Sequence, residues 1–225
     1  MKRLFCLVLV LCMSVCVFAS CGKNTNNYES KTYNYGNNQS ADSSTTTEAY
    51  TPMEFESNGT GKFPKVRITV KDYGEIELVL NDEVAPITVE NFINLVEDKF
   101  YDGLTFHRII EGFMIQGGDP KGTGLGGSEK TIKGEFSSNG VENNISHLRG
   151  VISMARSDKY DSASSQFFIC HKDSPHLNGQ YAAFGTVTKG IEVVDKIATQ
   201  AKPVDNNGTI LAADQPVIEK IEVIE

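Results

Sequence analysis

The sequence predicts a mainly β domain, either a barrel or a sandwich, that carries only two helices. Three observations lead to this fold class. From residue 62 onward short apolar runs recur, glycine-rich or polar segments separate them, and only two stretches have the apolar spacing of a helix. Residues 62–225 are numerous enough to bury a real core.

The amino end has the pattern of a secretory signal peptide. Lys2 and Arg3 form a positive start, residues 4–18 form an apolar run without charge, and small residues follow. The apolar run is shorter than the roughly 18–20 residues that a membrane-spanning helix needs. We therefore expect residues 1–20 to be a removable signal peptide rather than a membrane anchor.

The end of this segment, Phe18-Ala19-Ser20-Cys21, resembles a bacterial lipobox, although Phe18 replaces the more usual leucine. The resemblance implies cleavage before Cys21 and attachment of lipid to that cysteine. It also implies a lipid-anchored protein of the bacterial cell envelope, outside the cytoplasm. After cleavage only Cys21 and Cys170 would remain, so no disulfide framework is expected. Cys170 lies in an apolar run and is expected to be a small buried side chain.

Residues 21–61 are expected to form a disordered tether. They are rich in Asn, Ser, Thr and Gly and poor in aliphatic side chains, so they cannot bury enough apolar surface to offset the entropy lost on ordering. As a flexible coil, a segment of this length would span on the order of 35 Å.

The charge balance limits the possible partners. The formal net charge is −8, which argues against nucleic-acid binding and against electrostatic attraction to anionic lipid. We therefore expect lipid on Cys21 to anchor the protein, with more than one acyl chain, because a single chain binds membranes only marginally.

The folded part opens with a predicted hairpin and a helix. Residues 66–70 and 75–80 alternate as strands do, and Tyr73-Gly74 marks the turn between them. Pro86 suits the first position of a helix. The apolar side chains that follow it at helical spacing are Val89, Phe92, Ile93 and Val96.

The remaining elements are shorter. Further apolar runs occupy residues 104–109, 113–116, 151–155, 166–170 and 183–187. A second helix is predicted over 191–198, where one face carries Ile191, Val194, Ile197 and Ala198, and a last strand over 217–224.

Several motifs do not support the chemistry they suggest. Residues 122–127 match G-x-G-x-x-G, but no helical pattern follows, so the match predicts a loop and not a dinucleotide site. The four histidines lack the spacing of a metal site, which needs three or four converging ligands. Ser164-Ser165 lies in no G-x-S-x-G elbow. We expect no metal and no cofactor.

Four blocks carry the strongest signal. Residues 106–119 read Phe-His-Arg-Ile-Ile-Glu-Gly-Phe-Met-Ile-Gln-Gly-Gly-Asp, and the other three blocks are 150–156, 164–169 and 176–185. Their residues and their order resemble the cyclophilin family over about residues 64–225. The resemblance implies a closed eight-stranded antiparallel β-barrel capped by two α-helices. It also implies peptidyl-prolyl cis-trans isomerase activity on proline-containing polypeptides.

This chemistry needs a fixed cation rather than a nucleophile. Amide resonance gives the peptide bond a rotation barrier of about 18–20 kcal/mol, and in the twisted state the proline nitrogen regains its lone pair. A positively charged hydrogen-bond donor would stabilise that state. Arg108 fits because its guanidinium is always charged and rigidly forked.

The resemblance also assigns roles to individual residues. It implies that Arg108, Phe113 and Gln116 are catalytic, with the side chain of Gln116 bonded to the substrate backbone. The substrate-binding residues that it implies are His107, Met114, Ala155, Arg156, Gln166, Phe168, His176, Leu177 and Tyr181.

Two positions depart from the best-known members of the family. His176 stands where many have tryptophan, so we expect weak or no cyclosporin binding through loss of an apolar contact and an indole donor. Tyr181 stands where others have histidine, and its hydroxyl can still donate a hydrogen bond. No long apolar helix face is present, which favours a monomer.

Two other functions stay open at this stage. The domain could be a binding module that holds proline-containing segments as a chaperone or scaffold without turnover. It could also be a structural spacer at the envelope. An isomerase assay separates the enzyme from both, and a proline-peptide titration separates the two alternatives.

Overall fold

A computed structural model describes residues 49–225, so the predicted signal peptide, the lipidation site Cys21 and most of the tether lie outside the described residues. The strands are β1 Lys65–Val70, β2 Gly74–Leu80, β3 Phe106–Ile110, β4 Met114–Gly117, β5 Val151–Met154, β6 Phe167–Cys170, β7 Ala183–Lys189 and β8 Ile218–Val223. The helices are α1 Pro86–Glu97 and α2 Ile191–Gln200. Between residues 49 and 225, neither helix is long and apolar enough to cross a membrane.

All eight strands belong to one antiparallel sheet in the order β3-β4-β6-β5-β7-β2-β1-β8, curled into a half-barrel. The mainly β class with two helices is therefore confirmed. The closed barrel is not, because β3 and β8 stand at opposite ends of the order. An isolated bridge between Thr105 and Val217 and three backbone hydrogen bonds between residues 103–106 and 216–218 join these two ends, but no continuous ladder links the two strands.

The predicted hairpin and both helices form because their apolar periodicity has a core to face. In β1 and β2 every second side chain is buried, as a half-buried sheet requires. In α1 the predicted residues Val89, Phe92 and Val96 are buried and Ile93 is half-buried. The predicted face of α2 is likewise buried.

A cluster of aromatic rings fills the space between the sheet and α1. Phe92 lies at its centre, with ring centroids 5.1 Å from Tyr101, 5.6 Å from Phe167 and 5.3 Å from Phe184. All four side chains are fully buried. Because close-packed protein interiors have low compressibility, this cluster gives the central strands a rigid support.

The end of the predicted tether touches the domain. Residues 49–61 contain no helix or strand, but the hydroxyl of Tyr50 donates to Val187 O at 2.8 Å. The Glu83 carboxylate accepts hydrogen bonds from the backbone of Asn58, Thr60 and Gly61. The domain boundary predicted at residue 62 thus has a packed segment before it, and the tether as a whole stays a prediction.

Candidate active site

Strand pairing brings two of the predicted catalytic residues and one predicted substrate-binding residue into one row on the outer face of the sheet. Arg108 of β3 pairs with Gln116 of β4, which pairs in turn with Phe168 of β6. Alternate residues of a strand point to opposite faces. Neighbours such as Ile109, Ile115 and Phe167 therefore enter the core, while this row faces the other way.

The row borders a cavity of about 350 Å³. The predicted residues that line it are His107, Arg108, Phe113, Met114, Gln116, Ala155, Arg156, Phe168, Leu177 and Tyr181. Gln166 lies outside this set but lines an adjoining cavity of about 310 Å³. His176 lines neither cavity and packs against Phe113, with ring centroids 5.5 Å apart.

Two oxygen atoms accept hydrogen bonds from the Arg108 side chain. Its Nε donates to Asn207 O at 2.7 Å, and one terminal nitrogen donates to Gln116 Oε1 at 3.1 Å. Burial lowers the pKa of the guanidinium, but arginine remains charged at neutral pH. The result is a fixed, partly desolvated cation at the cavity wall, where an electrostatic contact counts for more than it does in water.

A chain of hydrogen bonds sets the orientation of the Gln116 amide. Its Nε2 donates to Gln166 Oε1 at 2.9 Å. Gln166 Nε2 in turn donates to Gly124 O at 3.0 Å and Gly126 O at 2.7 Å. The glycine-rich string therefore forms a loop, as predicted, and serves as one wall of the site.

Asp119 organises that loop, a role that was not predicted from the sequence. It is 1% exposed, and its carboxylate accepts hydrogen bonds from the backbone of Lys121, Thr123 and Gly124 at 2.6–2.9 Å. Burial acts to raise the pKa of Asp119, but these backbone donors hold it below its usual value. Its place at the end of the first motif block was the only available signal.

The floor of the cavity is apolar. Met114, Phe168 and Leu177 are nearly fully buried there, and Tyr181 meets the Phe168 ring edge to face, with centroids 5.9 Å apart. Phe113 is partly buried against the same cluster. A proline ring is small and apolar, so a pocket of this kind suits it.

His147 supports the floor from behind, a role that the sequence did not reveal. Its ring stacks on Phe168 with centroids 6.0 Å apart and planes 17° apart. Nδ1 lies 3.1 Å from Asn178 Oδ1, and Nε2 lies 3.0 Å from Ser153 Oγ. Because the Asn178 oxygen can only accept, Nδ1 carries the proton and Nε2 accepts from Ser153. Burial lowers the pKa of His147 to about 4.

Two other predicted residues have less direct positions. His107 is 4% exposed, and neither of its ring nitrogens has a hydrogen-bond partner within residues 49–225. The guanidinium of Arg156 lies over the Tyr181 ring, 4.7 Å from its centroid, and its Nε donates to Gln180 O. The side chain of Arg156 therefore braces the aromatic wall.

The cavity provides an apolar surface for binding and the positive charge of Arg108, but its one cysteine neighbour is not an activated nucleophile. Cys170 belongs to the floor cluster and is fully buried, and burial raises the pKa of its thiol to about 12. In residues 49–225, no three His, Cys, Asp or Glu side chains come together as metal ligands would. The arrangement suits stabilisation of a bound, uncleaved chain.

Comparison with known proteins agrees with this arrangement. The family model described as "Cyclophilin type peptidyl-prolyl cis-trans isomerase/CLD" matches residues 65–223. The chain is 50% identical over 123 residues to peptidyl-prolyl cis-trans isomerase B of Bacillus subtilis, covering 55% of this chain and 82% of that protein. It is 47% identical over 126 residues to a peptidyl-prolyl cis-trans isomerase of Helicobacter pylori, covering 55% and 75%.

A solved structure is also similar. The crystal structure of a Cryptosporidium parvum cyclophilin type peptidyl-prolyl cis-trans isomerase, determined in the presence of the dipeptide Ala-Pro, superposes with a TM-score of 0.63. The sequences are 31% identical, and the match covers 72% of this chain and 99% of that one.

Proposed function

This chain belongs to the cyclophilin-type peptidyl-prolyl cis-trans isomerase family, and we propose that it accelerates X-Pro isomerisation in proteins that fold outside the cytoplasm. Isomerase activity follows from the family. The cellular setting is our inference from the signal-peptide and lipobox patterns in residues 1–21, with lipid on Cys21 as the membrane anchor.

The position of Arg108 carries the proposed mechanism. The proline ring would sit on the apolar floor, which leaves its nitrogen facing the guanidinium. As the amide twists, that nitrogen gains a lone pair, and Arg108 would donate a hydrogen bond to it. The bonds from Arg108 to Asn207 O and Gln116 Oε1 hold the donor in place before the reaction begins, so little reorganisation is needed.

Gln116 would bind the substrate backbone. Its amide is already oriented by Arg108 and Gln166. The related structure determined with Ala-Pro supports a proline-containing peptide as the occupant. We further expect weak cyclosporin binding, because His176 stands outside the cavity lining as an exposed imidazole, and we expect a monomer.

The test is proline isomerisation by the wild-type chain and by Arg108→Ala. A charge-assisted hydrogen bond contributes roughly 1.5–3 kcal/mol, so its loss should slow turnover about 10- to 100-fold. Arg67→Ala is the matched control, because Arg67 pairs with Glu77 on the β1–β2 hairpin and lines neither cavity. That variant should keep its turnover.

Two outcomes would contradict the proposal. A folded wild-type chain without activity would leave a proline-peptide-binding module as the better account, and a peptide titration would then show binding. Equal turnover in Arg108→Ala and Arg67→Ala would remove the arginine from the mechanism while leaving the activity in place.

A further inference from the structure

The sequence contains four Asn-Gly pairs: Asn58-Gly59, Asn139-Gly140, Asn178-Gly179 and Asn207-Gly208. At such a pair the glycine backbone nitrogen can attack Cγ of the asparagine and expel ammonia, which forms a five-membered succinimide. Water then opens the ring to aspartate or isoaspartate. Glycine permits this because it has no side chain to hinder the attack and adopts many backbone conformations.

Three of these asparagines are held by hydrogen bonds on the side chain. Each would have to break two bonds before its Cγ could reach the next nitrogen. The partners are Thr60 N and Oγ1 for Asn58, Gly134 O and Asp161 Oδ1 for Asn139, and His147 N and Nδ1 for Asn178.

Asn207 differs from the other three. It is exposed, and in residues 49–225 no hydrogen bond engages its side-chain amide; its backbone nitrogen alone donates, to Asp205 Oδ1. The nitrogen that would attack, Gly208 N, donates to Asp205 O over a long 3.2 Å. The Asn207 side chain can therefore turn toward Gly208 N without breaking a hydrogen bond of its own, and the bond held by the attacking nitrogen is long.

We propose that Asn207 is a site of spontaneous deamidation, and that this modification lowers isomerase activity as the protein ages. The effect on activity rests on the proposed role of Arg108. Asn207 lines the main cavity, and its carbonyl oxygen is the 2.7 Å acceptor for Arg108 Nε.

Either product would disturb Arg108. Aspartate places a negative charge where a neutral amide stood at the cavity wall, so it competes with substrate for the cation. Isoaspartate routes the main chain through the side-chain carbon, which displaces the carbonyl that holds Nε. Gly208 restricts relaxation of the turn, because it has φ +84° and its carbonyl oxygen accepts a hydrogen bond from Ile109 N at 2.8 Å.

The full chain, in detergent, can be aged at mildly alkaline pH and followed by peptide mass spectrometry and by isomerase activity. We expect Asn207 to convert from amide to acid before the other three, with the converted protein about tenfold less active, the lower end of the loss expected for Arg108. Asn207→Gln should keep its own starting activity during ageing, and Asn58→Gln should age as the wild type does.

The proposal that Asn207 is the preferred deamidation site would be wrong if all four Asn-Gly pairs converted at one rate, or if Asn207 stayed intact. If Asn207 converted without loss of activity, the proposed effect of deamidation on Arg108 would be wrong. If the fresh wild-type chain were inactive, the proposed function would fail, but the mass spectra would still decide whether Asn207 is the modified residue.

Discussion

Acidification should destabilise the domain through His147, the imidazole behind the pocket floor. The ring is 1% exposed, and burial lowers its pKa from 6.5 to about 4. Its neutral form donates to Asn178 and accepts from Ser153. A proton added at Nε2 would put a charge into a desolvated space against Phe168, which is unfavourable.

The sign and size follow from proton linkage. Between pH 6.5 and about 4 the unfolded chain binds a proton at this histidine that the folded chain excludes, so the free energy of unfolding falls as the pH falls. A difference of about 2.5 pKa units at 1.36 kcal/mol each gives roughly 3 kcal/mol. The contribution is fully present above pH 6.5 and is lost by about pH 4.

Urea unfolding at several pH values measures this. His147→Gln can still offer a donor and an acceptor but cannot titrate. Between pH 6.5 and about 4, the free energy of unfolding of this variant should therefore fall less steeply than that of the wild type, and the two slopes should differ by about 1.4 kcal/mol per pH unit. Val194→Ala, a cavity variant in the core face of α2, should lose the same free energy at each pH. Identical pH profiles for wild type and His147→Gln would refute the claim that burial keeps this imidazole neutral.

Two further predictions concern the scaffold. Glu135 is buried and accepts three hydrogen bonds from Ile87 and Thr88 at the start of α1, so Glu135→Gln should cost about 2–4 kcal/mol in urea unfolding through loss of the charged acceptor. The exposed Glu142→Gln is its control, and equal stability of the two variants would contradict this account. Gly118→Ala should lower Tm much more than Gly112→Ala: both have positive φ, but only at Gly118 would the added carbon lie 2.5 Å from a carbonyl oxygen.

The local pattern of the sequence determined most of the elements. Alternation in residues 66–70 and 75–80 identified β1 and β2, and helical spacing after Pro86 identified α1. Strands and helices can be predicted from such patterns because the periodicity depends only on residues that are close in the sequence. The motif blocks also named residues that the fold brings together, since ten of the predicted catalytic and substrate-binding residues line one cavity.

The sequence did not reveal interactions that join distant segments. Glu135 caps α1 from 47 residues away, at Thr88, although its own sequence context gives no sign of this. Asn207 holds Arg108 across 99 residues through a backbone oxygen, and every residue type has that atom. Residue identity therefore carries no information about this contact.

The sequence by itself determined which segments become strands and helices, and which motif carries the cation, because these depend on short-range spacing and side-chain chemistry. Only the tertiary structure decided that the strand order runs from β3 to β8 without a shared ladder between them. The tertiary structure also showed that His147 stacks on Phe168 and that the Asp119 carboxylate accepts hydrogen bonds from the backbone of the glycine-rich loop. These contacts join residues that are far apart in the chain. They form only when the whole domain packs, so a local sequence pattern does not predict them.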